Sequence, residues 1–156
     1  MRITIDLDLK AVVRWLVGAL FLWAAVSKLA NLQDFYTDLV AYHLPLPEPF
    51  LRLAAVVLPW LELFCGLMLF ARFWLRAALT WVVVLCSIFV LCTGQAWARG
   101  LPISCGCLNL DWLPLGVGAK AWLESVAFAF FRAGLLLAAG LYLLRQTGSP
   151  PAAEGE

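Results

Sequence analysis

The 156-residue chain is too apolar for an ordinary soluble domain, because 64% of its residues are hydrophobic and only 13% are charged. Soluble domains contain about a quarter charged residues. Eleven basic and ten acidic residues leave a formal net charge of +1, which gives no electrostatic basis for nucleic-acid binding. The length excludes a second large domain but accommodates about four membrane-spanning helices of roughly 20 residues each.

Four apolar runs predict an all-α membrane protein, a four-helix transmembrane bundle occupying residues 11–145, with spans at about 11–30, 50–71, 75–96 and 121–144. Residues 1–10 form an N-terminal segment, and the Gly-, Pro- and Ala-rich residues 146–156 are expected to be a disordered tail. After the first span, apolar residues recur at helical spacing between polar ones. This pattern predicts a short interfacial amphipathic helix.

The distribution of Lys and Arg predicts the orientation in the membrane, because basic residues near span ends favour the cytoplasmic side. One side carries Arg2, Lys10, Arg14, Arg72, Arg76 and Arg145, and the other carries Lys28, Arg52, Arg99 and Lys120. We therefore expect a multi-pass protein of the bacterial inner membrane with both termini in the cytoplasm. The long loop after the third span would then be periplasmic.

Charged residues within the spans need partners, since an unpaired charge in a bilayer costs several kcal/mol. Glu62 and Arg132 lie at matching depths in the second and fourth spans, and Lys28 and Glu124 lie near the outer ends of the first and fourth. The positions predict the ion pairs Glu62–Arg132 and Lys28–Glu124, with Lys28–Glu62 as an alternative. Such pairs either fix helix register or belong to an intramembrane site, a proton path or a binding site for a quinone or thiol group.

The strongest chemical signal is the triplet Cys105-Gly106-Cys107 in the loop after the third span. A disulfide across one residue is strained and easily reduced, which suits an exchanging disulfide, and the glycine permits the turn. We take these two cysteines as candidate catalytic residues. An inert structural role remains open, as does a soft metal ion bound with help from His43, although no metal site is predicted.

Three cysteines and one tryptophan within the spans carry weaker signals. Cys92 lies about one turn below the outer end of the third span and is a candidate relay thiol, with simple packing as the alternative. Cys65 and Cys86 are deeper and are interpreted as packing residues. Trp60 is a candidate lining residue of an intramembrane pocket, with packing again the alternative.

The order and spacing of several motifs resemble the MauE branch of the DoxX-like membrane proteins. The similarity covers about residues 12–144 and rests on Ser27-Lys28-Leu29, Ala41-Tyr42 before a proline-rich turn, Leu58-Pro59-Trp60-Leu61-Glu62 with Gly66, and Ser104-Cys105-Gly106-Cys107. Leu108 stands where this family often has Phe.

The resemblance implies a four-helix bundle that works with a periplasmic thioredoxin-like partner in the maturation of disulfide-rich proteins, as in methylamine dehydrogenase biogenesis. By this analogy Cys105 and Cys107 exchange electrons with the partner. The predicted topology places Lys28 and Arg99 near the loop, where either would lower a thiol pKa. DoxX relatives are also linked to quinone-coupled sulfur oxidation, so the resemblance allows a quinone acceptor, although no residue pattern in this sequence identifies a quinone site. The alternatives are a noncatalytic subunit of a larger membrane complex and a small metal or sulfur carrier.

Overall fold

The computed structural model describes residues 2–100, 118, 122–123 and 125–148, with side chains from residue 9 to residue 147 within those ranges. In this part the chain forms helices α1 (Arg2–Ala30), α2 (Leu32–Ala41), α3 (Glu48–Ala71), α4 (Leu75–Ala98) and α5 (Val126–Gly148). Four segments are long and apolar enough to cross a membrane, namely Leu9–Ala30, Glu48–Ala71, Leu75–Ala98 and Val126–Thr147. These helices confirm the predicted all-α fold with four spans and indicate a multi-pass membrane protein.

Proline and left-handed residues set the ends of the helices. Pro47 is the N-cap of α3 and a second proline lies in its first turn, where the missing N–H groups would have no helical partner anyway. Arg72 ends α3 with φ 56°, and Trp74 precedes α4 with φ 44°. Because only residues 72–74 separate α3 from α4, the two helices are antiparallel neighbours.

The first and last helices extend beyond the expected spans. Helix α1 begins at Arg2, since no proline or glycine separates residues 2–10 from the apolar run. Helix α5 continues to Gly148, so the first residues assigned to the disordered tail are helical. Pro150, which cannot continue a helix, follows two residues later.

The bundle is organised as two helix pairs, α1 with α3 and α4 with α5, and the two pairs meet mainly between α3 and α4. The closest approach of α1 to α3 occurs at glycine. A Cβ atom on Gly66 would lie 2.8 Å from Cγ of Leu22 and 3.2 Å from the carbonyl oxygen of Gly18. Small residues at such crossings let helices in membranes pack closely, which here fixes the axial offset of α1 and α3.

The apolar residues divide between a small core and a broad outer surface. Val17, Leu69, Leu79 and Val82 are among the core residues, each 2% exposed or less. Outward-facing leucines remain open, as Leu135 shows with 72% exposure. An apolar surface of this extent needs the hydrocarbon of a bilayer as its solvent.

Helix α2 is the short helix predicted after the first span, and it packs against α3. Phe35 is its buried residue, with 4% exposure. The hydroxyl of Tyr36 donates a hydrogen bond to the carboxylate of Glu48 across 3.2 Å. One face of α2 therefore covers the region between the end of α1 and the beginning of α3.

Candidate functional site: a buried ion pair between α1 and α3

Lys28 of α1 and Glu62 of α3 form an ion pair inside the bundle. The ammonium nitrogen Nζ donates to Oε1 of the carboxylate across 2.5 Å, and the two residues are 2% and 4% exposed. Glu62 lies 14 positions after Glu48, the first residue of α3, which is about 21 Å along the helix axis. The pair therefore lies near the middle of the span.

This position corrects the expected depth of Lys28, which the sequence places near the outer surface. Lys28 is two residues from the end of α1 at Ala30. Because the Lys28 side chain reaches Glu62, α1 must end well short of the level at which α3 begins. Helix α2 occupies the space between these two levels. The lysine consequently points to a partner within the bundle and does not extend to the lipid headgroups.

Two aromatic rings enclose the ammonium group of Lys28. Its Nζ lies 4.9 Å from the ring centroid of Phe35 and 4.5 Å from that of Phe89. Cation–π contacts of this length are electrostatically favourable and strengthen where water is excluded. Neither ring was predicted from the sequence to belong to this site.

The second carboxylate oxygen of Glu62 has no hydrogen-bond partner among the described residues. This atom, Oε2, is buried, and Glu62 lines a cavity of about 50 Å³ together with Lys28, Cys86, Phe89 and Arg132. A cavity of this size holds a water molecule, which needs polar neighbours such as these. The site thus combines one paired acid, two basic side chains and room for solvent.

The structure favours the alternative pairing over the first prediction for Glu62. Among the described side chains, ion pairs within 4.0 Å join Lys28 to Glu62 and Arg52 to Glu48. The expected ion pair between Glu62 and Arg132 is therefore not formed, although both residues line the same cavity. Glu62 and Arg132 do lie at matching depths on their two helices, but Lys28 is the cation closer to the Glu62 carboxylate. The predicted Lys28–Glu124 pair involves Glu124, which lies outside the described residues.

The three described cysteines are free thiols, and the candidate catalytic pair, Cys105 and Cys107, lies outside the described residues. Cys65 and Cys86 belong to the buried core, as expected of packing residues. Cys86 also lines the polar cavity, a contact that the sequence did not indicate. Cys92 is partly buried and packs against a cluster that includes Tyr42, Ala96 and Val126.

An apolar pocket of about 310 Å³ lies beside the polar cavity, between α2, α3 and α4. Phe89 lines both spaces, and Cys92 lines the apolar pocket with Phe35 and Leu58. Trp60 lines neither space and is 48% exposed on the outer face of α3, where its ring centroid lies 6.4 Å from that of Phe64. Neither of these two spaces includes Trp60, and its place in an intramembrane pocket stays a prediction.

Metal ligation finds no support within residues 9–100 and the described part of the last span. No three His, Cys, Asp or Glu side chains converge there. Nδ1 of His43 lies 2.8 Å from the carbonyl oxygen of Ala41. The alternative in which His43 assists Cys105 and Cys107 involves residues outside the described part of the chain.

Comparison with known proteins identifies one family. The model of the family described as methylamine utilisation protein MauE matches residues 7–145, which is nearly the whole chain. No curated protein and no solved structure matches the chain significantly. The family match includes the buried ion pair and the Cys105-Gly106-Cys107 triplet within its bounds.

Proposed function

The chain belongs to the MauE family of methylamine utilisation proteins, and from this premise we propose that it is a membrane thiol-disulfide redox protein with a thioredoxin-like partner. Family membership together with four apolar helices indicates a membrane protein of methylamine utilisation. The observation that carries the redox proposal is the triplet Cys105-Gly106-Cys107 within the matched region. Two thiols one residue apart can engage the same partner in turn.

The proposed exchange conserves sulfur, electrons and protons. A thiolate of the reduced partner attacks the Cys105–Cys107 disulfide, forms a mixed disulfide with one cysteine and releases the other as a thiolate. The second thiol of the partner, as its thiolate, then attacks the mixed disulfide and displaces the cysteine that was held in it. The partner is oxidised to a disulfide by two electrons, Cys105 and Cys107 become a dithiol, and the two partner protons end on their sulfurs. The same steps run in reverse for a protein that oxidises this pair.

The position of the triplet in the chain supports access by a water-soluble partner. Helix α4 ends at Ala98, and Cys105 follows seven positions later in the sequence, in the loop predicted after the third span. In the proposed topology the protein lies in a bacterial inner membrane with both termini in the cytoplasm, and this loop faces the periplasm. Arg99 precedes the loop and would favour the thiolate form of a nearby cysteine.

The buried ion pair has a supporting role in this proposal. Lys28 and Glu62 join α1 to α3 at one register, and Arg132 of α5 faces the same cavity. We infer that these charges fix the relative positions of the three helices that lead to the loop end of the bundle. These charged groups take no part in the proposed electron transfer.

Thiol trapping tests the proposal directly. Cys105→Ser and Cys107→Ser should each abolish turnover, and at least one should accumulate a mixed disulfide with a periplasmic thioredoxin-like protein, which reducing agent releases. Cys65→Ala is the matched control, because it removes a thiol from the buried core and should leave both the exchange and the trapped species unaffected. Normal methylamine utilisation in cells that carry both serine substitutions would refute the redox function. Labelling of the reduced pair by cytoplasmic reagent alone would refute the topology.

A further inference from the structure

A third pocket lies at the end of the bundle that contains the beginning of α1 and the turn from α3 to α4. It has a volume of about 310 Å³ and opens between the beginning of α1, the turn from α3 to α4 and the end of α5. The pocket exists because α1 packs on α3 and α5 packs on α4, while α1 and α5 make little contact with each other. A gap between two spans at a membrane surface is accessible to lipid.

The polar lining of this pocket contains three cations together with Gln146 and Thr147. Lys10, Arg14 and Arg72 line it, and the guanidinium groups of Arg14 and Arg72 are near enough to repel each other. Nε of Arg14 is buried and has no hydrogen-bond partner among the described residues. Within the described side chains, none of the three cations has a carboxylate within 4.0 Å, since the ion pairs found there involve Lys28 and Arg52.

The apolar lining of the pocket consists of Ala11 and three leucines. Leu75 and Leu79 of α4 and Leu143 of α5 form its wall beneath the cations. Leu79 and Leu143 belong to the buried core, with 0% and 5% exposure. Repelling cations with an orphaned N–H donor favour a phosphate, which accepts several charge-assisted hydrogen bonds. An adjoining apolar wall favours a phosphate that carries hydrocarbon.

We propose that this pocket binds the phosphate headgroup of an anionic phospholipid between α1, the α3–α4 turn and α5. The phosphate lies between Arg14 and Arg72 and relieves their repulsion. The upper part of an acyl chain contacts the partly exposed Leu75, behind which the buried Leu79 and Leu143 pack. Basic pockets between transmembrane helices bind anionic headgroups in this way. A bound lipid would fill the gap that the helix packing leaves between α1 and α5.

Native mass spectrometry of the whole protein tests the proposal. The protein is released from nanodiscs of phosphatidylglycerol and phosphatidylcholine in equal molar amounts, and the lipid that remains bound is identified. The wild-type protein should retain phosphatidylglycerol selectively. Arg14→Gln with Arg72→Gln should reduce retention by about thirtyfold, since each cation near an anionic headgroup contributes roughly five- to sixfold.

The control removes the same charge from the same end of the bundle. Arg76→Gln with Arg145→Gln changes two cations that do not line the pocket and should leave retention within about twofold of wild type. If Arg14→Gln prevents folding, Arg72→Gln alone is compared with Arg76→Gln, because Arg72 is exposed in the turn. Equal losses in the pocket variant and its control would overturn the proposal.

A test with inorganic phosphate distinguishes a site for the phosphate of a lipid headgroup from a site for free phosphate. Added to wild-type protein in phosphatidylcholine nanodiscs, it should not raise the thermal midpoint of unfolding, whereas phosphatidylglycerol should. If phosphate raises the midpoint as much as the lipid does, the site belongs to the free ion and the lipid proposal fails.

Discussion

Replacing Lys28 by Met would break the buried ion pair while keeping a side chain of similar length. At 2.5 Å and an effective dielectric constant of about 20, two unit charges attract by about 7 kcal/mol before the cost of desolvation. Removing one partner of a buried pair typically destabilises a protein by about 3–5 kcal/mol, because the other charge remains buried without compensation. We expect Lys28→Met to lower the free energy of unfolding by about 3 kcal/mol, and Glu62→Leu to lower it by a similar amount.

The double variant is the informative measurement, because replacing both charges by apolar side chains removes the uncompensated group. Lys28→Met with Glu62→Leu should recover most of the lost stability, which gives a coupling energy of about 2 kcal/mol or more in the double-mutant cycle. Unfolding is followed by circular dichroism during titration of lipid bicelles with a denaturing detergent. The same cycle between Glu62 and Arg132 should give less than half that coupling, since the structure shows no ion pair between them.

An exposed pair of the same helix serves as the control. Arg52 and Glu48 lie 2.6 Å apart, and their side chains are 69% and 61% exposed. Solvent screens such a pair, so the cycle between Arg52→Met and Glu48→Gln should show no detectable coupling. If the Lys28–Glu62 cycle gives no larger coupling than this one, the ion pair does not hold α1 against α3 and the reasoning fails.

Two further predictions concern the close helix contact and the candidate relay thiol. Gly66→Ala should destabilise the bundle by about 1–3 kcal/mol, because the new methyl group would lie 2.8 Å from Leu22. Gly134→Ala meets no atom within 4 Å and should be neutral or stabilising by up to about 1 kcal/mol, so the reverse order in thermal unfolding would contradict the packing. Cys92→Ala should leave the rate of disulfide exchange within about twofold of wild type if the residue only packs, as its apolar surroundings favour. A tenfold slower exchange in stopped-flow measurements would instead assign Cys92 as a relay.

The sequence alone determined the class of the protein and the number of its spans. Apolar runs of about 20 residues admit few interpretations, because only closed hydrogen-bonded structures such as helices can cross a bilayer. The breaks at the proline-rich turn and at residues 72–74 follow equally from local chemistry, since proline removes a helical donor and a short connection forces antiparallel neighbours. The charged residues in the spans were also evident as residues that need partners.

Which charged side chains pair depends on how the helices pack. Depth counted from the helix ends placed Glu62 level with Arg132, and both residues line one cavity. The same count separated Lys28 from Glu62, because it assumed that α1 ends level with the beginning of α3. The close contact of Gly18 and Gly66 sets the offset that brings Lys28 down to Glu62. That offset depends on how side chains of two distant segments pack, which local hydropathy does not encode. The charge pattern therefore predicted a buried charged site, and the packing of the helices determines which residues form its ion pair.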